Sequence, residues 1–193
     1  LLALALVIPV LTLTGLKLHG DVARSGHYSQ ALRAAQIARA RVLRYQLDEE
    51  TGIRGYSATL DPLYLEPYRK GTVAMDGAFS ELRTDLVRLA LSTELDNIVD
   101  REQRDNTLWV TTIATPLTVI TTRTSTMLEL HRRGKQLVDH FRNDDQRLIV
   151  ALNNAGSAAD ARSAQTIFST LMYVLVSLLA ITAGAGVFGF LLE

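Results

Sequence analysis

Twenty basic and twenty acidic side chains cancel across 193 residues, so no concentrated basic face is on offer and nucleic acid is not an expected partner. Cysteine is absent, which excludes disulfides and thiolate metal sites. Apolar residues make up 48% of the chain but are unevenly spread, with two runs at the ends enclosing a mixed, charged middle.

Leu1 to Leu18 carries one charge, Lys17. An apolar run of roughly 18 residues is long enough to cross a bilayer as a helix. A signal peptide would show a basic start and a small-x-small cleavage site. Neither precedes Lys17, so residues 1–18 are read as a transmembrane helix, clipped at its start where no Met stands. Ile167 to Leu192 carries no charge, and residues 167–192 are read as a second span. Between them, residues 19–166 form one domain. Setting aside Lys17 and Glu193 leaves 19 basic and 19 acidic side chains there. Loop charge therefore does not orient the insert, and a segment this long crosses largely regardless of charge.

From Val22 to Ala58, apolar residues such as Leu32, Ala35, Val42, Ile53 and Tyr56 recur at steps of three and four, which predicts an amphipathic helix continuing out of the first span. Asp61-Pro62 ends it and opens the next, because Asp caps unpaired amides and Pro suits the first helical position. Leu60 and Leu65 fall where a hydrophobic staple needs them. A second helix is predicted over 63–90, although Gly71 and Gly77 each weaken it by roughly 1 kcal/mol. A third starts at the polar break Ser92-Thr93. The segment TLWVTTIATPLTVITTRTSTM, residues 107–127, is rich in strand-favouring Thr, Val and Ile. A lone strand pair would have nothing to pair with, so the segment is expected to be helical and kinked at Pro116. Gly134, after His131-Arg132-Arg133, is expected to be a left-handed helix stop, with the fourth helix starting near Lys135. The fold class is all-α: an elongated antiparallel four-helix bundle continuous with two transmembrane helices. A helix of about 35 residues is roughly 50 Å long, so the domain is expected to be a rod that carries a shift from its tip to the membrane.

Function is concentrated in LDEETGIRGYSATLDPLYLEPY, residues 47–68. Glu50 and Arg54 stand four apart, with the acid nearer the N-terminus, the favourable order for a helical ion pair. Two readings stand side by side. One is a structural pair near the bundle tip, worth a few tenths of a kcal/mol when exposed. The other is a polar pocket between helices in which Arg54 would hold an anionic ligand.

This stretch resembles the signature of the third CHASE family, extracytoplasmic sensory domains with an acid, an Arg-Gly-Tyr, an Asp-Pro turn and a Leu-Glu-Pro-Tyr element. Glu50, Arg54, Gly55, Tyr56, Asp61, Pro62, Leu65, Pro67 and Tyr68 occupy those positions. Trp109 with Pro116-Leu117, and Gly134-Lys135, resemble two further elements. The resemblance spans roughly residues 22–165 and makes Glu50, Arg54, Tyr56, Asp61, Tyr68 and Trp109 the candidate ligand-binding or structural residues. It implies a bundle between two spans that senses outside a bacterial cell and signals to a cytoplasmic histidine kinase, cyclase or related output. An acid-Arg pair of the family's last helix is met here only by Asp144-Asp145-Gln146-Arg147. No phosphoacceptor box or nucleotide site occurs up to Glu193. A piece of a longer receptor and a domain serving without an output both remain open.

Other signals are weaker. GAGVFG, residues 184–189, spells a dinucleotide fingerprint, but it lies in an apolar run without the strand and acid such a site needs. Ala180 with Gly184, and Ala185 with Gly189, instead give small residues four apart where another membrane helix can pack. His19, His27, His131 and His140 make no i, i+4 pair, so no metal and no cofactor is expected. No nucleophile–base grouping has recognisable spacing, and no enzyme is expected. The expected partners are membrane lipid, a second copy in a parallel homodimer, other membrane proteins, and a small ligand of unknown identity. The competing function is a membrane-anchored structural or accessory subunit that holds partner proteins without signalling.

Overall fold

The computed structural model describes residues 2–91 and 93–190, without the side chains of 2–11, 94, 181 and 184–190. With four prolines in 193 residues, few positions force a break, and the helices run long. α1 spans Leu2–Thr59. A 3-10 turn, Pro62–Leu65, leads into α2, Glu66–Arg88. α3 covers Thr93–Trp109 and passes through a π turn, Val110–Ala114, into the short α4, Thr115–Thr118. α5 runs from Ser125 to Phe190. No strand occurs among the described residues, so the chain is all-α as its periodicity predicts.

The chain forms two compact units, Gln30–Asn154 and Leu1–Ser29 with Ala155–Glu193. The first is a four-helix bundle built from α1, α2, α3 with α4, and α5. Arg41 of α1 pairs with Glu81 of α2, and Arg83 of α2 with Asp100 of α3. Arg101 of α3 pairs with Asp144 of α5, and Gln36 of α1 reaches Asn153 of α5. Numbers rise on one helix as they fall on the next, which makes neighbours antiparallel. Ile53, Phe79, Leu82, Leu86, Phe141 and Leu148 fill the centre and are essentially inaccessible. Each such side chain contributes about 1.5–3 kcal/mol on burial.

The first hairpin forms where the sequence places it. The Asp61 carboxylate accepts from the Leu63 amide at 2.9 Å, and Leu60 packs against the cluster containing Leu65. Leu60 adopts φ 59°, and its amide donates to the Tyr56 carbonyl at 2.6 Å. Gly71, a weak helix former, has a long-range reason to be there. A Cβ on it would lie 2.9 Å from the Tyr45 carbonyl oxygen and 2.8 Å from Glu49 Cγ. α1 and α2 cross too closely for a side chain.

Gly134 does not stop a helix. It lies inside α5, and no described glycine has positive φ; the left-handed residues are Leu60 and Ala90. The break falls earlier, across residues 119–124, where Thr124 Oγ1 accepts from the Met127 amide at 3.2 Å and caps α5. The fourth helix thus begins at Ser125 rather than near Lys135. The Thr-rich segment is helical up to Thr118, and its irregularity sits just before Pro116 as the π turn. The Thr115 amide reaches back five residues to the Val110 carbonyl, which widens the helix where the proline offers no N–H. Thr111 and Thr112 hydroxyls donate to the Leu108 carbonyl or its neighbour, removing the case for strand.

In the second unit the Ser25 and Ser163 hydroxyls share a 2.8 Å hydrogen bond. Its large apolar side chains, among them Leu16, Phe168, Leu171 and Tyr173, are exposed. Among the described residues, α5 is the helix long and apolar enough to cross a membrane, with a window of mean hydropathy 1.5 and none of that window buried. Of the expected first span, side chains 1–11 lie outside the described residues.

Candidate functional site

The π turn and Gly134 together open a groove. Trp109 and Ile113, at the end of α3 and in the turn, face α5, where a Cβ on Gly134 would stand 2.8 Å from Ile113 Cγ2 and 3.1 Å from Trp109 Nε1. Glycine lets the indole sit against the α5 backbone. Beside it lies a cavity of about 680 Å³, a volume suited to a small molecule. Its apolar floor includes Ile53, Trp109, Ile113, Met127 and Val138, all buried.

The walls carry charge. Arg54, Arg123, Lys135 and Arg142 line the cavity against two carboxylates, Glu50 and Asp139, an excess of two cations. Glu50 accepts from Arg142 at 2.6 Å and pairs with Arg54 at 3.5 Å. Arg123 donates to the Ala58 carbonyl, and Lys135 to Asp139. His131 also lines the groove, its pKa lowered by burial and then by the charge of Arg54. It is therefore a neutral donor and acceptor near pH 7.

The residues singled out in the sequence divide into two groups. Glu50, Arg54 and Trp109 line the groove together. Tyr56, Asp61 and Tyr68 hold the hairpin instead. The Tyr56 hydroxyl donates to the Ile120 carbonyl at 3.1 Å, Asp61 caps the 3-10 turn, and Tyr68 is buried in the core cluster. A Cβ on Gly52 would come within 2.7 Å of the Tyr68 amide nitrogen, so the hairpin closes onto α1 at backbone distance. Arg123, His131 and Arg142 were not singled out as a site. A signal existed for two of them: His131, Lys135 and Arg142 fall at steps of four and seven, one face of a helix. Ala180 is exposed on α5, while Gly184, Ala185 and Gly189 lie outside the described side chains.

Residues 25–162 match the CHASE3 domain family, a span that takes in the four-helix bundle and the whole groove. The chain belongs to the CHASE3 family. CHASE3 domains are extracellular sensory domains without catalytic activity, which gives this bundle a sensory input role. No curated protein and no solved structure matches the chain.

Farther from the groove, the CHASE3 bundle buries a polar layer. Glu49 is fully buried, and its Oε2 accepts from Asn106 Nδ2 at 2.6 Å; the same amide donates to Gln46 at 2.7 Å. Burial pushes the Glu49 pKa up to about 7 against the opposing hydrogen bonds. Glu102 is nearly inaccessible, and neither of its carboxylate oxygens has a hydrogen-bond partner among the described residues. Burial, then the charges of Asp145 and Asp144, push its pKa up to about 9. Asp145 accepts from Arg39 Nε at 2.5 Å, and Asp144 from Arg101 Nε at 2.8 Å. The acids of Asp144-Asp145-Gln146-Arg147 thus pair across the bundle, with Arg147 only 3.4 Å from its helical neighbour Asp144. No group of three or more His, Asp or Glu among the described residues is placed to hold a metal.

Proposed function

We propose that the chain is the input half of a bacterial membrane signalling receptor. In this reading the bundle lies outside the cytoplasmic membrane, both termini lie inside, and two apolar ends cross the bilayer. The observation that carries it is the groove's construction. It is lined by α1 and α5 together with the end of α3, the π turn and the loop before α5, and α1 and α5 are each a single helix that also includes an apolar end of the chain. An occupant that favours one arrangement of those helices would bias their displacement, and a helix displaced at one end is displaced at the other. The apolar side chains exposed on α5 would face lipid or the same helix of a second copy in a parallel homodimer. The output would be a cytoplasmic histidine kinase, cyclase or related domain.

Two measurements test this. Thr122→Cys, in the loop before α5, should react with a membrane-impermeant maleimide on intact cells. With a histidine kinase output appended after Glu193, substitutions at Arg54 and Trp109 should change autophosphorylation at least severalfold. Labelling of the introduced thiol only after lysis would overturn the topology. Kinase activity indifferent to every groove substitution would favour an accessory subunit that holds partner proteins.

A further inference from the structure

Ser57 stands apart among the groove residues. Hydroxyls in helices ordinarily donate to a carbonyl three or four residues back, as Thr59 does to Gly55 at 2.8 Å. Ser57 is 8% exposed, and its Oγ has no hydrogen-bond partner among the described residues although it lines the groove. A buried hydroxyl without a partner costs about 1–3 kcal/mol, which a rotation of the side chain into the groove, toward an acceptor bound there, would recover. Its neighbours set the chemistry. Arg54 lies one helical turn away with its side chain 72% exposed. Arg123 is anchored on the Ala58 carbonyl, next to Ser57 in sequence. One of the five N–H groups of that guanidinium is used there, which leaves it able to donate further. Arg54, Ser57 and Arg123 therefore all line one cavity, floored by Trp109, Ile113, Met127 and Val138.

We infer that the groove binds a small organic carboxylate: an anionic head at Arg54, Ser57 and Arg123, and an apolar body on the Trp109 floor. The inference rests on the sensory reading and names the class of molecule sensed. Three features select it. The excess of two cations over carboxylates rejects a cationic ligand, because like charges brought together cost binding energy. Planar guanidinium groups match carboxylate geometry. The apolar floor rejects a fully hydrated inorganic anion, which would leave that surface uncovered.

Trp109 is the chain's single tryptophan and lies on the floor, so its fluorescence reports occupancy. The test uses the full chain in lipid nanodiscs, titrated with 4-phenylbutyrate, 4-phenylbutan-1-ol and 4-phenylbutylamine. The carboxylate should give a saturable change in emission. The alcohol should bind at least ~10-fold more weakly, and the amine should give no saturable change. Ser57→Ala and Arg54→Gln should each lower the carboxylate's affinity by ~5-fold or more while leaving the melting temperature within a few degrees of wild type. Equal affinity for all three probes would mean bilayer partitioning or apolar contact alone and would overturn the inference. So would carboxylate binding unaffected by both substitutions, or no saturable response at all. Binding in nanodiscs with a kinase fusion that ignores the carboxylate overturns the signalling reading and leaves the site. A fusion that responds to groove substitutions, in a chain that binds no carboxylate, does the reverse.

Discussion

Glu102 holds an acid where no hydrogen-bond partner meets it among the described residues, and burial together with Asp145 and Asp144 keeps its proton bound to about pH 9. Glu49 does the same to about pH 7. In the unfolded chain both would lose their protons near the ordinary glutamate value, 4.5. Between that value and the folded ones, the folded state holds more protons, so stability must fall as pH rises. The contribution is complete below the unfolded pKa and is lost as pH climbs through about 7 and then about 9. Glu102→Gln, which keeps the shape of the protonated acid, should be more stable than wild type at pH 9 by an amount on the order of a few kcal/mol, and close to wild type at pH 5. Thermal melts across that range decide it, and parallel curves for the two proteins would refute the argument. Residue chemistry was only half legible in the sequence. Glu50 and Arg54 announce themselves because they are four apart on one helix. Arg142, the nearer partner of Glu50, is 92 residues away and comes into reach only through packing.

Elements were legible where the cause was local. Asp61 caps the amide two residues on, and Leu60 packs against the cluster that holds Leu65, five residues on, so the hairpin could be read directly. Gly134 was misread for the opposite reason. A glycine after three basic residues imitates a helix stop, yet its purpose is the indole of Trp109, 25 residues earlier and on another helix. The loop at 119–124 hid among identical threonines, of which Thr124 caps α5 and its neighbours do not. Two glycines of α2 make the contrast testable. Nothing lies within 4 Å of a Cβ added to Gly77, whereas one on Gly71 meets the Tyr45 carbonyl. Gly77→Ala should stabilise the bundle by up to about 1 kcal/mol through helix propensity. Gly71→Ala should destabilise it by about 1–3 kcal/mol through overpacking. Denaturant unfolding of the two variants checks both signs, and stabilisation of both would mean that α1 and α2 do not approach closely.

For the whole molecule, all-α class and four-helix architecture followed from periodicity, because amphipathic segments of this length have few other ways to bury their apolar faces. Association with a second copy is a separate matter, since it depends on surfaces that no periodicity ranks. Most apolar side chains of α5 from Phe168 to Leu179 are exposed, a surface that in the proposed membrane setting would be divided between lipid and a second copy. The chain contains no cysteine, so an introduced one is the sole thiol. A cysteine scan through residues 168–180 in membranes should give disulfide dimers at every third or fourth position, the pattern of one helix face meeting its copy. Uniform absence of crosslinks along the scan would make the chain a monomer in the bilayer.

The π turn holds one residue more than a regular helix needs. Eight residues separate Trp109 from Leu117, and both are buried. In a regular α-helix eight residues overshoot two full turns by about 80°, which the wider turn takes up. Deleting one residue between Val110 and Ala114 would let the helix heal with Leu117 still facing the interior, because seven residues of regular helix fall only about 20° short of two turns. Counted as insertions and deletions, residues 119–124 are where descendants of this chain can change length. The π turn is where one residue can be lost with Leu117 kept in place, at the expense of the wide turn beside the groove.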